Sequence, residues 1–174
     1  LSEALHFTAT YDKDGLHVEL SPAAHSTPPA QGQPRVGSIV PNLKLTRLDG
    51  AAISLDELRG QRVPINSWAS WWGCRHDLPV WQEFFTKHRD NHCTILSIAV
   101  DVQGPEVVTP WIEKYGVTFP VTVDSADVFG AAFGLKAIPV SILVDEAGII
   151  RLQGGGPKQE ILEKLREILG NPIN

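Results

Sequence analysis

From Val36 onward short apolar runs alternate with segments of helical period, and this alternation constrains the fold more than any other feature of the chain. The runs are Val63–Trp68, Thr94–Val100, Phe119–Val123, Val140–Val144 and Ile149–Leu152. Between and after them, helical spacing predicts helices over Arg75–Asp90, Pro105–Tyr115, Ser125–Phe133 and Pro157–Leu169. The last places Ile161, Leu162, Leu165, Ile168 and Leu169 on one face, with Pro157 as a start and Gly170 as a stop. Strands that alternate with helices imply an α/β domain.

Upstream the pattern differs. Leu5, Phe7, Ala9 and Tyr11, then Leu16, Val18 and Leu20, alternate with polar residues on either side of Asp12-Lys13-Asp14-Gly15, which predicts a β-hairpin. Between Ser21 and Arg35 stand Pro22, Pro28, Pro29, Pro34 and Gly32 with no apolar period, as in a linker or a loosely draped arm. The expected organisation is a hairpin extension at 1–20, a Pro-rich linker at 21–35 and one folded domain at 36–174.

Composition narrows the partners. In 174 residues, 43% are hydrophobic and 20% charged, enough apolar surface for a core. With 15 Lys+Arg against 20 Asp+Glu the net charge is −5, and no long basic run offers a footprint for nucleic acid or anionic lipid. Small molecules and proteins remain. Apolar stretches such as Val140–Val144 fall far short of the ~20 residues that cross a bilayer, so no membrane insertion is expected. The chain starts at Leu1 and has no methionine, which suggests a trimmed chain whose signal or anchor segment has been removed.

The chemistry-bearing stretch is Trp68-Ala69-Ser70-Trp71-Trp72-Gly73-Cys74-Arg75-His76-Asp77-Leu78-Pro79, which leaves a strand and enters a helix. Cys74 is expected in the first helical turn, where unpaired N–H groups and the helix dipole stabilise a thiolate. Arg75 and His76 add positive potential. The alternative is a buried, inert thiol. Trp68 and Trp71 are expected to pack in the core and Trp72 to stay exposed; His76 reads as a solvated surface histidine.

Several segments in order carry a family resemblance. They are Val36-Gly37-Ser38 with Pro41-Asn42-Leu43, Leu48-Asp49-Gly50, Ser54-Leu55 with Leu58-Arg59-Gly60, Asn66-Ser67-Trp68-Ala69-Ser70-Trp71, Phe119-Pro120-Val121 with Asp124, and Ala137-Ile138-Pro139. Together they resemble the TlpA/ResA-like thioredoxin-fold thiol–disulfide oxidoreductases of the bacterial cell envelope, within the redoxin (AhpC/TSA) group. Ser67 stands where that family usually has an aromatic, and Asn66 is the envelope branch's choice at a position that is Asp in ordinary thioredoxins.

The resemblance implies a thioredoxin-like fold, a central mixed sheet flanked by helices. It implies protein or peptide thiols and disulfides as partners, no cofactor, and a place in the periplasm or cell envelope. It puts Cys74 in the catalytic position, with Trp72, Gly73, Ile138 and Pro139 against substrate and Asn66, Trp68, Trp71 and Arg75 supporting them. It also makes Ile138–Pro139 the expected cis bond. Oligomeric state is not legible.

One departure matters. The family's redox motif is C-x-x-C, but here Trp72-Gly73-Cys74 is one residue short and lacks the first cysteine. Pro79 lies five residues after Cys74, as the family's proline follows its second cysteine, so Cys74 matches the resolving cysteine. Dithiol exchange needs one thiolate to attack and a second to release the mixed disulfide, so one cysteine only forms and holds it. Cys93 is no substitute. A helix of about fifteen residues, at ~1.5 Å rise each, separates the two by roughly 20 Å, against the ~7 Å between Cα atoms that a disulfide allows.

A peroxiredoxin-type peroxidase is disfavoured, because its motif needs Thr or Ser three residues before the cysteine and Pro seven before, where this chain has Trp71 and Ser67. No metal site is expected: His88 and His92 are spaced i,i+4 without a third ligand. Gly154-Gly155-Gly156 lacks a P-loop lysine and reads as a flexible connection. Two readings stay open, mixed-disulfide chemistry at Cys74 or a non-catalytic peptide-binding or scaffold module. The exposure and acidity of the Cys74 thiol separate them.

Overall fold

The computed structural model describes residues 7–12, 15–20, 33–155 and 158–169. Leu5, the Lys13-Asp14 turn, linker residues 21–32, Gly156, Pro157 and Gly170, all of which figure in the sequence reading, lie outside the described residues. Two compact units emerge, Leu1–Gln33 and Pro34–Asn174. In the first, β1 (Phe7–Asp12) and β2 (Gly15–Leu20) form the expected antiparallel hairpin, pairing from Phe7 with Leu20 to Asp12 with Gly15.

Among its described residues the second unit has a seven-stranded mixed sheet and four α-helices. The strands are β3 (Lys44–Arg47), β4 (Ala52–Ser54), β5 (Val63–Trp68), β6 (Leu96–Ala99), β7 (Val121–Val123), β8 (Val140–Val144) and β9 (Ile150–Gly155). The helices are α1 (Leu78–His88), α2 (Pro105–Tyr115), α3 (Val128–Phe133) and α4 (Lys158–Leu169). Spatial order is β4-β3-β7-β6-β5-β8-β9. β6 runs parallel to both β5 and β7; the pairs β5/β8, β8/β9, β3/β7 and β3/β4 are antiparallel.

Alternation along the strands divides the core. Val63 and Ile65 of β5, Leu96 and Ile98 of β6 and Val140, Ile142 and Val144 of β8 pack with Phe129 and Phe133 of α3. Trp68, Ala99 and Leu143 belong to the other cluster, with Leu78, Trp81 and Phe84 of α1, Val108 of α2 and Ile161, Leu162 and Leu165 of α4. Every residue of β5, β6 and β8 is buried, which is why these strands read as continuous apolar runs.

Several expected boundaries move for physical reasons. The helix expected from Arg75 starts at Leu78, after a 3₁₀ turn over Gly73–Asp77. Pro79 has no N–H to give the Arg75 carbonyl, which instead accepts from Leu78 in a tighter, three-residue bond. The helix expected from Ser125 starts at Val128, because the buried Asp124 carboxylate accepts from the Val128 and Phe129 N–H groups at 2.9 and 2.8 Å.

Gly154 and Gly155 are not a loose connection: both lie in β9, opposite Ser141 and Val140. A Cβ on Gly155 would stand 3.2 Å from the Pro139 carbonyl oxygen, closer than side chains normally approach. The β3/β4 edge was not anticipated, since these strands of four and three residues bury only one and two side chains.

On α4, Ile168 is 45% exposed instead of sharing the core stripe, whereas Leu165 is fully buried. At 100° per residue Ile168 sits at the margin of that stripe, in the last turn. Leu165→Ala is therefore expected to cost about 2–5 kcal/mol in urea unfolding, and Ile168→Ala to stay within about 0.5 kcal/mol.

Candidate functional site

The site forms where β5 ends. Ser70 is the first residue past Ala69 and is fastened at once: its N–H lies 3.0 and 3.2 Å from the two carboxylate oxygens of Asp101, and its hydroxyl donates to Oδ1 at 2.6 Å. Asp101 is fully buried, so these bonds satisfy a carboxylate that would otherwise be costly to hide. The Trp72 N–H then closes a turn onto the Ala69 carbonyl at 3.2 Å. Trp72 itself is extended and leads into the 3₁₀ turn that carries Cys74.

Across from this turn, the peptide bond Ile138–Pro139 is cis, as expected. The start of β8 is tied to β5 by Ser67, whose hydroxyl accepts from the Val140 N–H at 3.0 Å and lies 3.3 Å from the Val140 carbonyl. Sequence reasoning saw Ser67 only as a missing aromatic. Its signal was a hydroxyl inside an apolar strand, where it needs a partner. Asp101 was missed also, though an acid at the end of a buried strand carries the same kind of signal.

Cys74 comes close to the cis-proline loop. Asn66, Trp68, Cys74, Asp77, Pro139 and Ser141 share the wall of a small cavity of about 20 Å³. Asn66 Oδ1 is buried there and accepts no hydrogen bond among the described residues. Trp68 Nε1 donates to Ser97 Oγ at 2.9 Å, which fixes the indole under the site. These placements bring together Asn66, Trp68, Cys74 and Pro139 of the residues singled out from the sequence.

The thiol does not have the acidity expected from a helix start. Cys74 is 9% exposed, and burial pushes its pKa above the ordinary thiol value. Hydrogen bonding from the backbone of Ala69 and of Cys74 pulls the other way, Asp77 adds to the rise, and the Arg75 charge opposes it least. Arg75 is engaged elsewhere: Nη1 donates to the Trp72 carbonyl at 2.9 Å and the guanidinium lies 4.7 Å from the Trp111 ring centroid. It clamps the turn against α2 more than it charges the site.

Trp71 departs from expectation. It is 59% exposed and Trp72 53%, the two rings meeting edge to face at 6.1 Å. Both stand on the turn beyond the strand end, where the sheet no longer offers a covered face. His76 is exposed but not merely solvated: Nδ1 lies 2.9 Å from the Tyr115 hydroxyl and the ring packs edge-on to Trp111. The site is thus edged by aromatic rings from two elements, of which Trp111 and Tyr115 were not singled out from the sequence.

The other histidine and cysteine candidates lie elsewhere. Cys93 bridges to Arg62, beside the first residue of β5 and away from the site. Both cysteines are free. Burial is the main reason that the Cys93 pKa is pushed to about 11, with Arg62 opposing and Glu146 adding. His88 stacks on Phe84 at 4.4 Å, and its pKa is lowered first by burial and then by Arg166, Arg62 and Lys87. Among the described residues no cluster of three or more His, Cys, Asp or Glu is placed to hold a metal.

The model of the AhpC/TSA family matches residues 36–153. The thiol-disulfide oxidoreductase ResA of Halalkalibacterium halodurans is 29% identical over 138 residues, spanning 78% of this chain and 77% of the relative. A Chlorobium tepidum structure, solved as a candidate thiol:disulfide interchange protein DsbE, is 25% identical and superposes with a TM-score of 0.71 over 79% of this chain and all of that one. A secreted disulfide oxidoreductase of Mycobacterium tuberculosis, 19% identical, shares the fold with a TM-score of 0.61 over 70% of this chain and 92% of that one.

Two outcomes follow from the thiols. Iodoacetamide should label Cys74 of the folded chain with an apparent pKa above ~8.5 and at pH 7 far more slowly than in urea, as read by peptide mass spectrometry. Both cysteines hold their protons more tightly folded than unfolded, so their share of stability is full below the unfolded thiol pKa and is lost as pH rises through the folded one. Unfolding free energy should therefore fall between pH 9 and about 11, and Cys93→Ala should flatten that slope in urea titrations.

Proposed function

The chain belongs to the AhpC/TSA family, and from that premise we propose that it is a thiol–disulfide oxidoreductase relative that binds extended protein segments beside Pro139 without turning over disulfides. One observation carries the reading: Cys74 is 9% exposed and holds its proton above the ordinary thiol range because it is buried. The thiolate is the form that attacks a disulfide. A protonated, enclosed thiol without an attacking partner in front of it is a poor nucleophile.

The binding surface of this reading is the turn of Trp71, Trp72 and Gly73 together with the Ile138–Pro139 loop, Trp71 and Ile138 sharing one cavity wall. Half-exposed indoles at a clamped turn supply large, rigid contact area, the kind of residue that dominates binding energy when covered. Arg75 holds that turn through the Trp72 carbonyl, and Asn66 and Trp68 line the small cavity they share with Cys74. The family match begins at 36, which supports taking 36–174 as the working domain, 1–20 as an extension and 21–35 as a linker. An extracytoplasmic location is part of the proposal, supported by the resemblance to envelope oxidoreductases and by the secreted chain that shares the fold.

A second reading keeps one chemical step. The Cys74 sulfur attacks a protein disulfide, forms a mixed disulfide and expels the other sulfur as a thiolate. The shared wall of Cys74 and Pro139 favours it, since a segment bound along the loop lies near the thiol.

Insulin reduction by dithiothreitol separates the readings from ordinary turnover: the chain should not accelerate it, nor differ from Cys74→Ser. Thiol-blocked, carboxymethylated insulin B chain tests the binding directly. Trp72→Ala should weaken that binding about 5- to 30-fold, whereas Cys74→Ser should leave it unchanged. Rapid insulin reduction that depends on Cys74 would sink the binding-only reading.

A further inference from the structure

The row of β5 side chains that faces α3 runs Val63, Ile65, Ser67, stepping down from branched aliphatics to a hydroxyl that is already spent on Val140. Beyond Ser67 the space is unfilled. A cavity of about 310 Å³ opens there, walled by Ser67, Trp71, Val100, Phe129, Leu135 and Ile138. That is the small end of the ~300–1,000 Å³ usual for ligand pockets, fit for one large side chain and too small for a nucleotide-sized cofactor. Phe129 is 2% exposed and Trp71 59% exposed, so the wall offers one fixed aromatic face and one that loses water when covered.

The polar groups at its mouth limit the occupant further. Asp124 is consumed by the first turn of α3. Asp127 folds its carboxylate against Gly130, in that same turn. Lys136 also borders the cavity and takes part in no ion pair among the described residues. An apolar, aromatic-walled cavity with one unpaired ammonium beside it suits an aromatic body next to a negative charge.

We propose that this cavity is a side-chain pocket for an aromatic residue of a bound peptide, with an acidic residue next to that anchor meeting Lys136. The pocket rests on the reading of the Pro139 loop as peptide-binding and adds the sequence preference that reading lacks. Ile138 joins the two, because it lines the pocket and precedes Pro139.

Amide NMR shifts of the full chain with acetylated, amidated tetrapeptides test it. Ala-Phe-Asp-Ala should shift Val100, Gly130 and Leu135 and bind about tenfold or more tighter than Ala-Ala-Asp-Ala. Ala-Phe-Lys-Ala should bind several-fold more weakly than the Asp peptide, and Lys136→Glu, a surface change that leaves the fold intact, should reverse that order. Ser67→Phe should abolish the gain from Phe by filling the pocket.

Equal binding of the Phe and Ala peptides, or an Asp/Lys order that ignores Lys136→Glu, overturns the pocket. If all peptides shift Ile138 and Val140 alike and leave Gly130 unmoved, the pocket fails and the groove stands. If N-acetylphenylalanine amide shifts Gly130 and Leu135 while no peptide shifts Ile138 or Val140, the groove reading fails and an aromatic-binding pocket remains.

Discussion

The register of β5 between β6 and β8 is the constraint from which the rest of the structure follows. All six residues of Val63–Trp68 are buried, so a slip by one residue would carry the whole strand's side chains to the wrong face. Its pairing sets Asn66 opposite Ser97 on one side and Ser141 on the other. With that register fixed, the last residues of β5 and the first of β8 come to one edge of the sheet, and Cys74 and Pro139 meet there. Ser67 and Asp101 then lock the two chain segments that leave this edge.

The same burial that makes the edge rigid changes its chemistry. A thiol at the first turn of a helix in open solvent would be acidified by free N–H groups, but the turn here is 3₁₀, and Cys74 faces inward to Trp68 and Trp81. Desolvation opposes the charged form and wins over the nearby backbone donors and Arg75. What the edge exposes instead is aromatic: Trp71 and Trp72 outward, with Trp111, Tyr115 and His76 alongside. In the proposed reading, a family scaffold built around a reactive sulfur serves in this chain as a contact surface.

Much of this was legible in the sequence. The β5 and β8 runs and α2 were found to the residue, because strands buried on both faces and a helix begun by Gly104-Pro105 and ended by Gly116 leave strong local signals. The order of motifs gave the fold and the cis bond at Pro139. Boundaries shifted where a single tertiary bond decides them, as Asp124 does for α3 and the missing N–H of Pro79 for α1. The short β3/β4 edge and the exposure of Trp71 depend on which faces other elements cover, and Ser67 carries its meaning only once Val140 is beside it. The acidity of Cys74 was the least legible, since burial is set by residues as distant as Ile161.

We propose that Cys74 is a protonated, enclosed thiol in a site that binds instead of exchanging disulfides. Incubation of the folded chain with excess oxidised glutathione at pH 7, followed by intact mass and peptide mapping, tests it most directly. No glutathione is expected on Cys74 in the folded chain, and an adduct is expected once the chain is unfolded in urea. A rapid one-to-one adduct on Cys74 in the folded chain would contradict it.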